Sequence, residues 1–172
     1  MRPPTSHRSP GPVLRRQARP AVATILPDLL IGEYPTPDDA GWLRTGLGVT
    51  AVLSLQDDAD LAGKRLELRE LARAYQAHGV AFHRVAVPDC DVRTLAARLD
   101  AIVTLLGELL RGGHRVYLHC SGGTNRAPTV AIAYLHAQQG LPLAAARDFV
   151  KQRRHCVPYM QLLHAHYEGR NR

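Results

Sequence analysis

Fourteen residues, VYLHCSGGTNRAPT at positions 116–129, restrict the possible fold more than any other part of the chain. A short apolar run leads directly into a loop with two adjacent glycines, and an apolar helical pattern follows the loop. A strand that ends at such a loop, in front of a helix N-terminus, gathers backbone N–H groups that favour an anion. Gly122 and Gly123 let the backbone approach a ligand closely because they carry no Cβ. The stretch therefore predicts an anion-binding strand–loop–helix unit.

Two side chains of this unit match the chemistry of a phosphate ester. Arg126 closes the loop, and its planar guanidinium suits two phosphate oxygens. Cys120 opens the loop, where a helix N-terminus and a cation stabilise the nucleophilic thiolate. Cys120 is therefore predicted as a nucleophile toward phosphorus rather than a buried structural thiol. The predicted phosphate-binding residues are Ser121, Gly122, Gly123, Thr124, Asn125 and Arg126.

Phosphoryl transfer also needs a proton for the leaving oxygen. The segment PDCD at 88–91 follows another predicted strand. Strand ends on one edge of a parallel sheet converge, so this loop is expected beside Cys120. Asp89 is predicted as the general acid, with Asp91 as the alternative. His119 is expected to orient the loop rather than act as a base.

Strand and helix patterns alternate from residue 21 onwards. Apolar runs predict two short strand pieces at 23–31 and strands at 49–55, 80–87 and 115–119, while 56–63 is predicted as a polar loop. Helical patterns cover 37–45, 64–78, 94–111, 126–139, 143–154 and 159–167. The alternation predicts an α/β fold with a central, mostly parallel sheet flanked by helices on both faces. The basic run at 153–155 is interpreted as a solvated helix end, or alternatively as a lining for an anionic substrate.

The positive charge is concentrated at the N-terminus. The chain of 172 residues has a formal charge of +7, and residues 1–20 contain five arginines and no acidic residue, which leaves +2 for the remainder. Residues 1–20 are predicted as a disordered, basic, proline-rich arm, and 21–172 as a single catalytic domain. An inert tail, an organelle-targeting peptide and a polyanion-binding arm remain open. The body itself gives little reason to expect a nucleic-acid partner.

The cysteines point to a reducing compartment. Three are present, at 90, 120 and 156. An odd, sparse set is a poor disulfide framework, so a cytoplasmic protein is expected, with organelle targeting as the alternative. Whether Cys90 or Cys156 pairs with Cys120 under oxidation stays open. No apolar run reaches the roughly 18–20 residues that a membrane span needs. The histidines lack metal-ligand spacing, and no cofactor is predicted.

Four of the residues at the loop carry a family resemblance. His119, Cys120, Gly123 and Arg126 match the HCxxGxxR signature of the cysteine-dependent, dual-specificity-type phosphatases, and the chain resembles them over about residues 23–166. The resemblance implies the dual-specificity phosphatase fold, a cysteinyl-phosphate intermediate on Cys120, and phosphate binding by Arg126 and the backbone of 121–126. Asp89 would protonate the leaving group and later activate water. No metal is implied.

Finer details are similar to one branch of that superfamily, laforin and the plant starch (glucan) phosphatases. These details are VLSLQD at 52–57, the Asp89-x-Asp91 pair, RAP at 126–128 and KQRRHCVP at 151–158. Two departures matter. Ala127 replaces the Ser or Thr by which many relatives help the thiolate leave, and Cys90 and Val157 stand where glucan-acting relatives place aromatic residues.

The leading hypothesis is a phosphatase for phosphoproteins that accepts Tyr and Ser/Thr phosphates. A phosphoglucan phosphatase that acts on phosphorylated carbohydrate is the second hypothesis. A phosphate-binding pseudophosphatase without turnover is the third, and an RNA 5′-phosphatase is the fourth. No membrane partner is predicted.

Overall fold

A single five-stranded sheet organises the computed structural model, which describes residues 18–169. The strands are β1 (Val22–Leu26), β2 (Leu29–Gly32), β3 (Ala51–Ser54), β4 (Ala81–Arg84) and β5 (Val116–His119). Their order across the sheet is β1-β2-β5-β3-β4. Only β1 pairs antiparallel, with β2, and the other pairs are parallel. The prediction of a mostly parallel sheet is confirmed.

Helices cover both faces of this sheet. They are α1 (Ala40–Thr45), α2 (Asp58–Gly63), α3 (Leu68–Ala77), α4 (Val92–Arg111), α5 (Arg126–Gln139), α6 (Leu143–Lys151) and α7 (Met160–Tyr167), with a short 3-10 helix (Pro37–Asp39) before α1. One core cluster joins the sheet to α4, α5, α6 and α7, and a second joins it to α1 and α3. Burial of apolar side chains on both faces explains why the strands read as continuous apolar runs.

Helix α5 is the central element of the larger core. Ten consecutive residues from Arg126 to Leu135 are buried, so the helix has no wholly polar face over its first turns. Such a helix belongs to the interior of a protein. Its N-terminus therefore has a firm position directly behind β5, and Gly140 ends it in the left-handed conformation (φ 74°).

The predicted loop at 56–63 is wrong, because most of it forms α2. Asp57 caps this helix: its side chain accepts from the Asp60 N–H, and the Asp60 side chain accepts from the Asp57 N–H. Only Leu61 of α2 is buried. A six-residue helix with one buried apolar residue is too short to show the apolar periodicity of a helix. The Asp-x-x-Asp capping pattern at 57–60 was nevertheless present in the sequence.

The predicted arm lies almost wholly outside the described residues, which exclude 1–17 and 170–172. Arg19 is described, and its Nη1 forms an ion pair with Asp39 at 3.1 Å. Its guanidinium also lies over the Trp42 ring, 5.3 Å from the centroid. The division at residues 20 and 21 stays a prediction. Between residues 18 and 169, no helix combines the length and the apolar character needed to cross a membrane.

Candidate active site

The carboxyl ends of four strands meet at one edge of the sheet. Gly32 of β2 and Ser54 of β3 both lie opposite His119 of β5 in the strand register. The segment after β4 lies at the same edge, because the Val87 N–H donates to the carbonyl of Leu55, the residue directly after β3 (3.0 Å). The loop at 120–125, the Tyr34 segment, α2 and the Asp89 segment are thereby brought together, as expected for loops at this edge of a parallel sheet.

The carbonyl groups of the loop are all held from outside. Each of the six carbonyls from Cys120 to Asn125 accepts a hydrogen bond. The Cys120 carbonyl accepts from His119 Nδ1 (3.0 Å), that of Ser121 from Tyr34 N (2.9 Å) and that of Gly122 from Arg154 Nη2 (2.9 Å). The Gly123 carbonyl accepts from Arg154 Nε (2.7 Å), that of Thr124 from Val157 N (2.8 Å) and that of Asn125 from Thr129 Oγ1 (2.7 Å). Among residues 18–169, none of the N–H groups from 121 to 126 donates to a protein acceptor. In a trans peptide the carbonyl and the next N–H point in opposite directions. Outward carbonyls therefore leave a run of inward donors.

Gly123 makes this shape possible. Its φ is +62°, in the left-handed region that favours glycine. A Cβ there would lie 2.4 Å from the Gly32 carbonyl oxygen and 2.7 Å from Arg154 Nη2. A Cβ at Gly122 would meet only Thr124 Oγ1, at 3.3 Å. Gly123 is therefore the more restricted of the two glycines.

Arg126, the predicted phosphate ligand, is almost fully buried (1% exposed) and held by an acidic residue outside the loop. Its Nη1 donates to Asp60 Oδ2 (2.6 Å) and to the Val87 carbonyl (2.7 Å). Its Nη2 lies 3.3 Å from Asp89 Oδ1. Within the described part of the chain its buried Nε has no acceptor. This N–H is a donor that an oxyanion would satisfy.

Asp60 links Arg126 to the start of the loop. Ser121 Oγ donates to Asp60 Oδ1 (2.6 Å), and Gln56 Nε2 donates to Ser121 Oγ (3.3 Å). Burial raises the pKa of Asp60, but the hydrogen bonds from Arg126 and Ser121 and the charge of Arg126 outweigh it and lower the pKa to about 2. Asp60 is thus ionised at neutral pH. Sequence reasoning missed both Gln56 and Asp60, because their segment was predicted as a polar loop.

His119 lies directly behind Cys120 and is also buried (2% exposed). Burial lowers its pKa to about 4, with the Arg126 charge contributing. The neutral ring donates from Nδ1 to the Cys120 carbonyl and stacks on Tyr117, with centroids 5.6 Å apart. A neutral donor in this position orients the loop.

The two aspartates of the PDCD segment have different surroundings. The side chain of Asp89 is 57% exposed, and its Oδ1 lies beside Arg126. Asp91 is the N-cap of α4, where its two oxygens accept from the Thr94 N–H (2.9 Å) and the Thr94 hydroxyl (2.6 Å). These bonds lower the pKa of Asp91. Cys90 between them has a φ of +61° and is exposed.

The remaining predicted residues lie around the loop. Asn125 Nδ2 donates to the Val157 carbonyl (2.7 Å), so its side chain faces the segment after α6. The Thr124 hydroxyl lies 3.4 Å from the Gly122 carbonyl oxygen. Ala127 and Cys156 are buried, and burial raises the pKa of the Cys156 thiol. No group of three or more His, Cys, Asp or Glu side chains within 18–169 is arranged to hold a metal ion.

The basic run at 153–155 divides into different roles. Arg153 is exposed, donates to the Phe149 carbonyl (3.0 Å) and lies over the Phe149 ring. His155 is exposed. Arg154 is half-buried and bonds the loop itself, so the interpretation of the whole run as a solvated helix end is wrong for this residue.

Comparison with known proteins assigns this arrangement to a family. The sequence profile of the dual specificity phosphatase catalytic domain matches residues 40–171. The chain belongs to this family. It is 33% identical over 144 residues to the phosphoglucan phosphatase DSP4, amyloplastic, of Castanea sativa, covering 81% of this chain and 38% of that protein. It is 27% identical to laforin of Mus musculus, covering 77% of this chain and 44% of that protein.

These dual specificity phosphatase relatives confirm the resemblance to the laforin and starch-phosphatase branch. The chain spans less than half the length of either one. Among solved structures, the active form of Tk-PTP superposes with a TM-score of 0.70 and 25% identity, over 86% of this chain and 96% of that one. The predicted phosphatase fold is confirmed.

Proposed function

We propose that this dual specificity phosphatase domain hydrolyses phosphate monoesters through a cysteinyl-phosphate intermediate on Cys120. The observation that carries the proposal is the run of inward N–H donors from Ser121 to Arg126, which follows Cys120 and leads into the N-terminus of α5. Such a cradle suits the three equatorial oxygens of a transferring phosphoryl group. The unsatisfied Nε of Arg126 adds one more donor.

The chemistry divides into two steps. In the first, the Cys120 thiolate forms a bond to phosphorus, the ester P–O bond breaks, and the leaving oxygen takes a proton from Asp89. In the second, water attacks the phosphocysteine, Asp89 takes a proton from that water, and the P–S bond breaks to release phosphate and the thiolate. Asp60 supports both steps because it holds the charged Arg126 in place.

The surroundings of the two aspartates support Asp89 as the acid. Both oxygens of Asp91 are engaged at the N-terminus of α4, so its carboxylate is a helix cap. Asp89 lies beside Arg126 with more than half of its side chain exposed to an approaching substrate. A general base role for His119 finds no support, because its buried ring is neutral and its Nδ1 is occupied.

For the substrate, we propose phosphoproteins, with phosphotyrosine and phosphoserine or phosphothreonine both accepted. The segment between β4 and α4 runs only from residue 85 to 91. This segment is too short to form a deep pocket, and a deep pocket would be needed to select phosphotyrosine over the shorter phosphoserine and phosphothreonine side chains. A cytoplasmic location and the division into a 20-residue arm and one catalytic domain are part of the same proposal.

A phosphoglucan is the second candidate substrate. Identity of 33% to the chestnut phosphoglucan phosphatase favours it. Tyr34 and Tyr159 also flank the loop: the Tyr34 N–H bonds the Ser121 carbonyl, and the Tyr159 N–H donates to Thr129 Oγ1 (2.9 Å). Sugar rings stack on aromatic faces. The exposed Val157 (59%) and Cys90 supply no such face. The relative's amyloplastic location is compatible with the alternative that residues 1–20 target an organelle.

Phosphate release from a small aryl phosphate tests the proposal, with wild type, Cys120→Ser and Asp89→Asn compared at several pH values under reducing conditions. We expect no turnover by Cys120→Ser and an altered pH profile for Asp89→Asn. An inactive wild type would instead favour a phosphate-binding pseudophosphatase, with Ala127→Ser as the first substitution to test. Parallel assays on a phosphopeptide panel and on phosphorylated starch separate the two substrate classes.

A further inference from the structure

Arg154 binds the loop from behind with a fork of hydrogen bonds. It lies just after α6 and is 31 residues from Gly123 along the chain. Its Nε donates to the Gly123 carbonyl (2.7 Å) and its Nη2 to the Gly122 carbonyl (2.9 Å). Its Nη1 donates to the carbonyl of Ala21, the residue directly before β1 (3.2 Å). All three guanidinium nitrogens therefore bind main-chain oxygens.

These bonds determine which way two peptide groups of the loop face. The Gly122 carbonyl shares a peptide plane with the Gly123 N–H, and the Gly123 carbonyl shares one with the Thr124 N–H. Because the two groups of a trans peptide point in opposite directions, a carbonyl held toward Arg154 turns its N–H away, into the loop. Glycine backbones rotate more easily than any other, so these two peptides have the greatest need of an external constraint.

The planar shape of the guanidinium suits this task. Two N–H groups of one planar guanidinium bind two successive carbonyls. A lysine ammonium group, on its flexible side chain, would hold the same two carbonyls less firmly. The same positive charge would also favour an anion in the loop by simple attraction. Geometry and charge are therefore two separate explanations of any effect of Arg154.

We propose that Arg154 is a positioning residue for the proposed phosphatase reaction: it orients the N–H groups of Gly123 and Thr124 toward the phosphate by holding the carbonyls of Gly122 and Gly123. It acts through the loop and not by contact with the substrate. The inference rests on the proposed function, since the loop is taken to bind a phosphoryl group.

The chain contains its own control for charge. Arg153 carries the same charge one residue earlier, but it is exposed and its bonds go to Phe149 of α6. Arg153→Ala removes one positive charge near the loop without touching the loop carbonyls. Arg154→Lys keeps the charge and removes the fork.

Titration calorimetry with tungstate, a tetrahedral oxyanion, measures the effect without turnover. We expect Arg154→Ala and Arg154→Lys both to bind tungstate at least ten-fold more weakly than wild type, and Arg153→Ala to stay within two-fold. On an aryl phosphate, loss of oriented oxyanion donors should lower kcat/KM by about 10²-fold in both Arg154 variants, with kcat affected as well as KM. Thermal unfolding of each variant identifies any that fail to fold, and Arg154→Lys, the milder change, then carries the test.

Two outcomes would overturn the inference: Arg154→Lys binding tungstate as wild type does, or Arg153→Ala weakening it as much as Arg154→Ala. Either would assign the effect to charge alone. Failure of the proposed function is a different result, namely a wild type that binds tungstate in an Arg154-dependent way but releases no phosphate from any ester.

Discussion

A single carboxylate, that of Asp60, connects the two ends of the phosphate loop. It accepts from Arg126 at one end and from Ser121 at the other, and its side chain is only 8% exposed. Removing one partner of a buried ion pair leaves the other charge uncompensated, which costs about 3–5 kcal/mol. Through these contacts, we expect Asp60 to influence stability and, in the proposed reaction, phosphate binding, although no contact between Asp60 and substrate is predicted.

Asp60→Asn is therefore expected to lower the free energy of unfolding by about 3 kcal/mol and to weaken oxyanion binding. Urea unfolding and tungstate titration measure the two effects. Asp58→Asn is the matched control, because Asp58 lies on the same helix with its side chain 92% exposed and pairs with Arg84. Equal behaviour of the two variants would contradict the role of Asp60.

Asp89 and Asp91 differ in the consequences of losing their charge. A general acid contributes about 10²–10⁴-fold to the rate. We expect Asp89→Asn to lose at least 10²-fold with an alkyl phosphate, a poor leaving group, and little with a dinitrophenyl phosphate, which needs no proton. Asp91→Asn should keep turnover with both, because asparagine also caps helices well. The opposite pattern would assign the acid to Asp91.

Among the elements, the loop at 120–125 carries the strictest backbone requirement. Gly123→Ala combines a positive φ with a Cβ pressed against the Gly32 carbonyl, whereas Gly122→Ala meets one hydroxyl. We expect Gly123→Ala to abolish tungstate binding and phosphate release, and Gly122→Ala to retain both within about ten-fold, since one oxyanion donor is worth about 10²–10³. A Gly123→Ala variant with unchanged binding would show that the loop adapts freely.

Helix α2 and the segment after α6 hold this loop through different groups. Helix α2 presents Asp60, which holds the loop side chains, and the segment from Arg154 to Val157 holds the loop carbonyls. The loop is thereby held through the side chains of Ser121 and Arg126 by α2, and through its main-chain carbonyls by the segment after α6. In the proposed reaction we expect this loop to rearrange little when a phosphate binds, which is the condition for electrostatic stabilisation of a transition state.

At the scale of the whole molecule, acid should destabilise the fold through the buried site. The folded-state pKa of His119, about 4, is below the ordinary 6.5, so the unfolded chain binds more protons as the pH falls through this range. Stability is therefore full above pH 6.5 and declines by about 3 kcal/mol toward pH 4, at 1.36 kcal/mol per unit. The Asp60 contribution, with a pKa of about 2 against 3.8, is lost below pH 3.8.

Urea unfolding between pH 7 and pH 4 measures this slope. His119→Gln should show a smaller decline over the same interval, because its side chain does not titrate. The same slope in both proteins would mean that His119 is not buried as a neutral ring.

The strand, loop and helix around Cys120 could be predicted from residues that are neighbours in the sequence. Strand β5, the glycine loop and α5 follow one another without interruption, and α5 has the predicted bounds, 126–139. Cys120, His119, Gly123 and Arg126 could be proposed as site residues because a strand, a tight loop and a helix N-terminus each require particular residues at adjacent positions. Alternation of strands and helices likewise predicted the parallel sheet, because a parallel pair requires a crossover.

The contacts that hold the loop in shape became visible only in three dimensions. Asp60 is 66 residues from Arg126, and Arg154 is 31 residues from Gly123, so the sequence around each residue did not show which distant group it binds. Polar residues on short helices and at helix ends are usually solvated, so local patterns assign them to the surface. The choice between Asp89 and Asp91 likewise depends on which carboxylate α4 uses as its cap. Neighbours along the chain encode backbone conformation, whereas contacts between distant segments follow from how the elements pack.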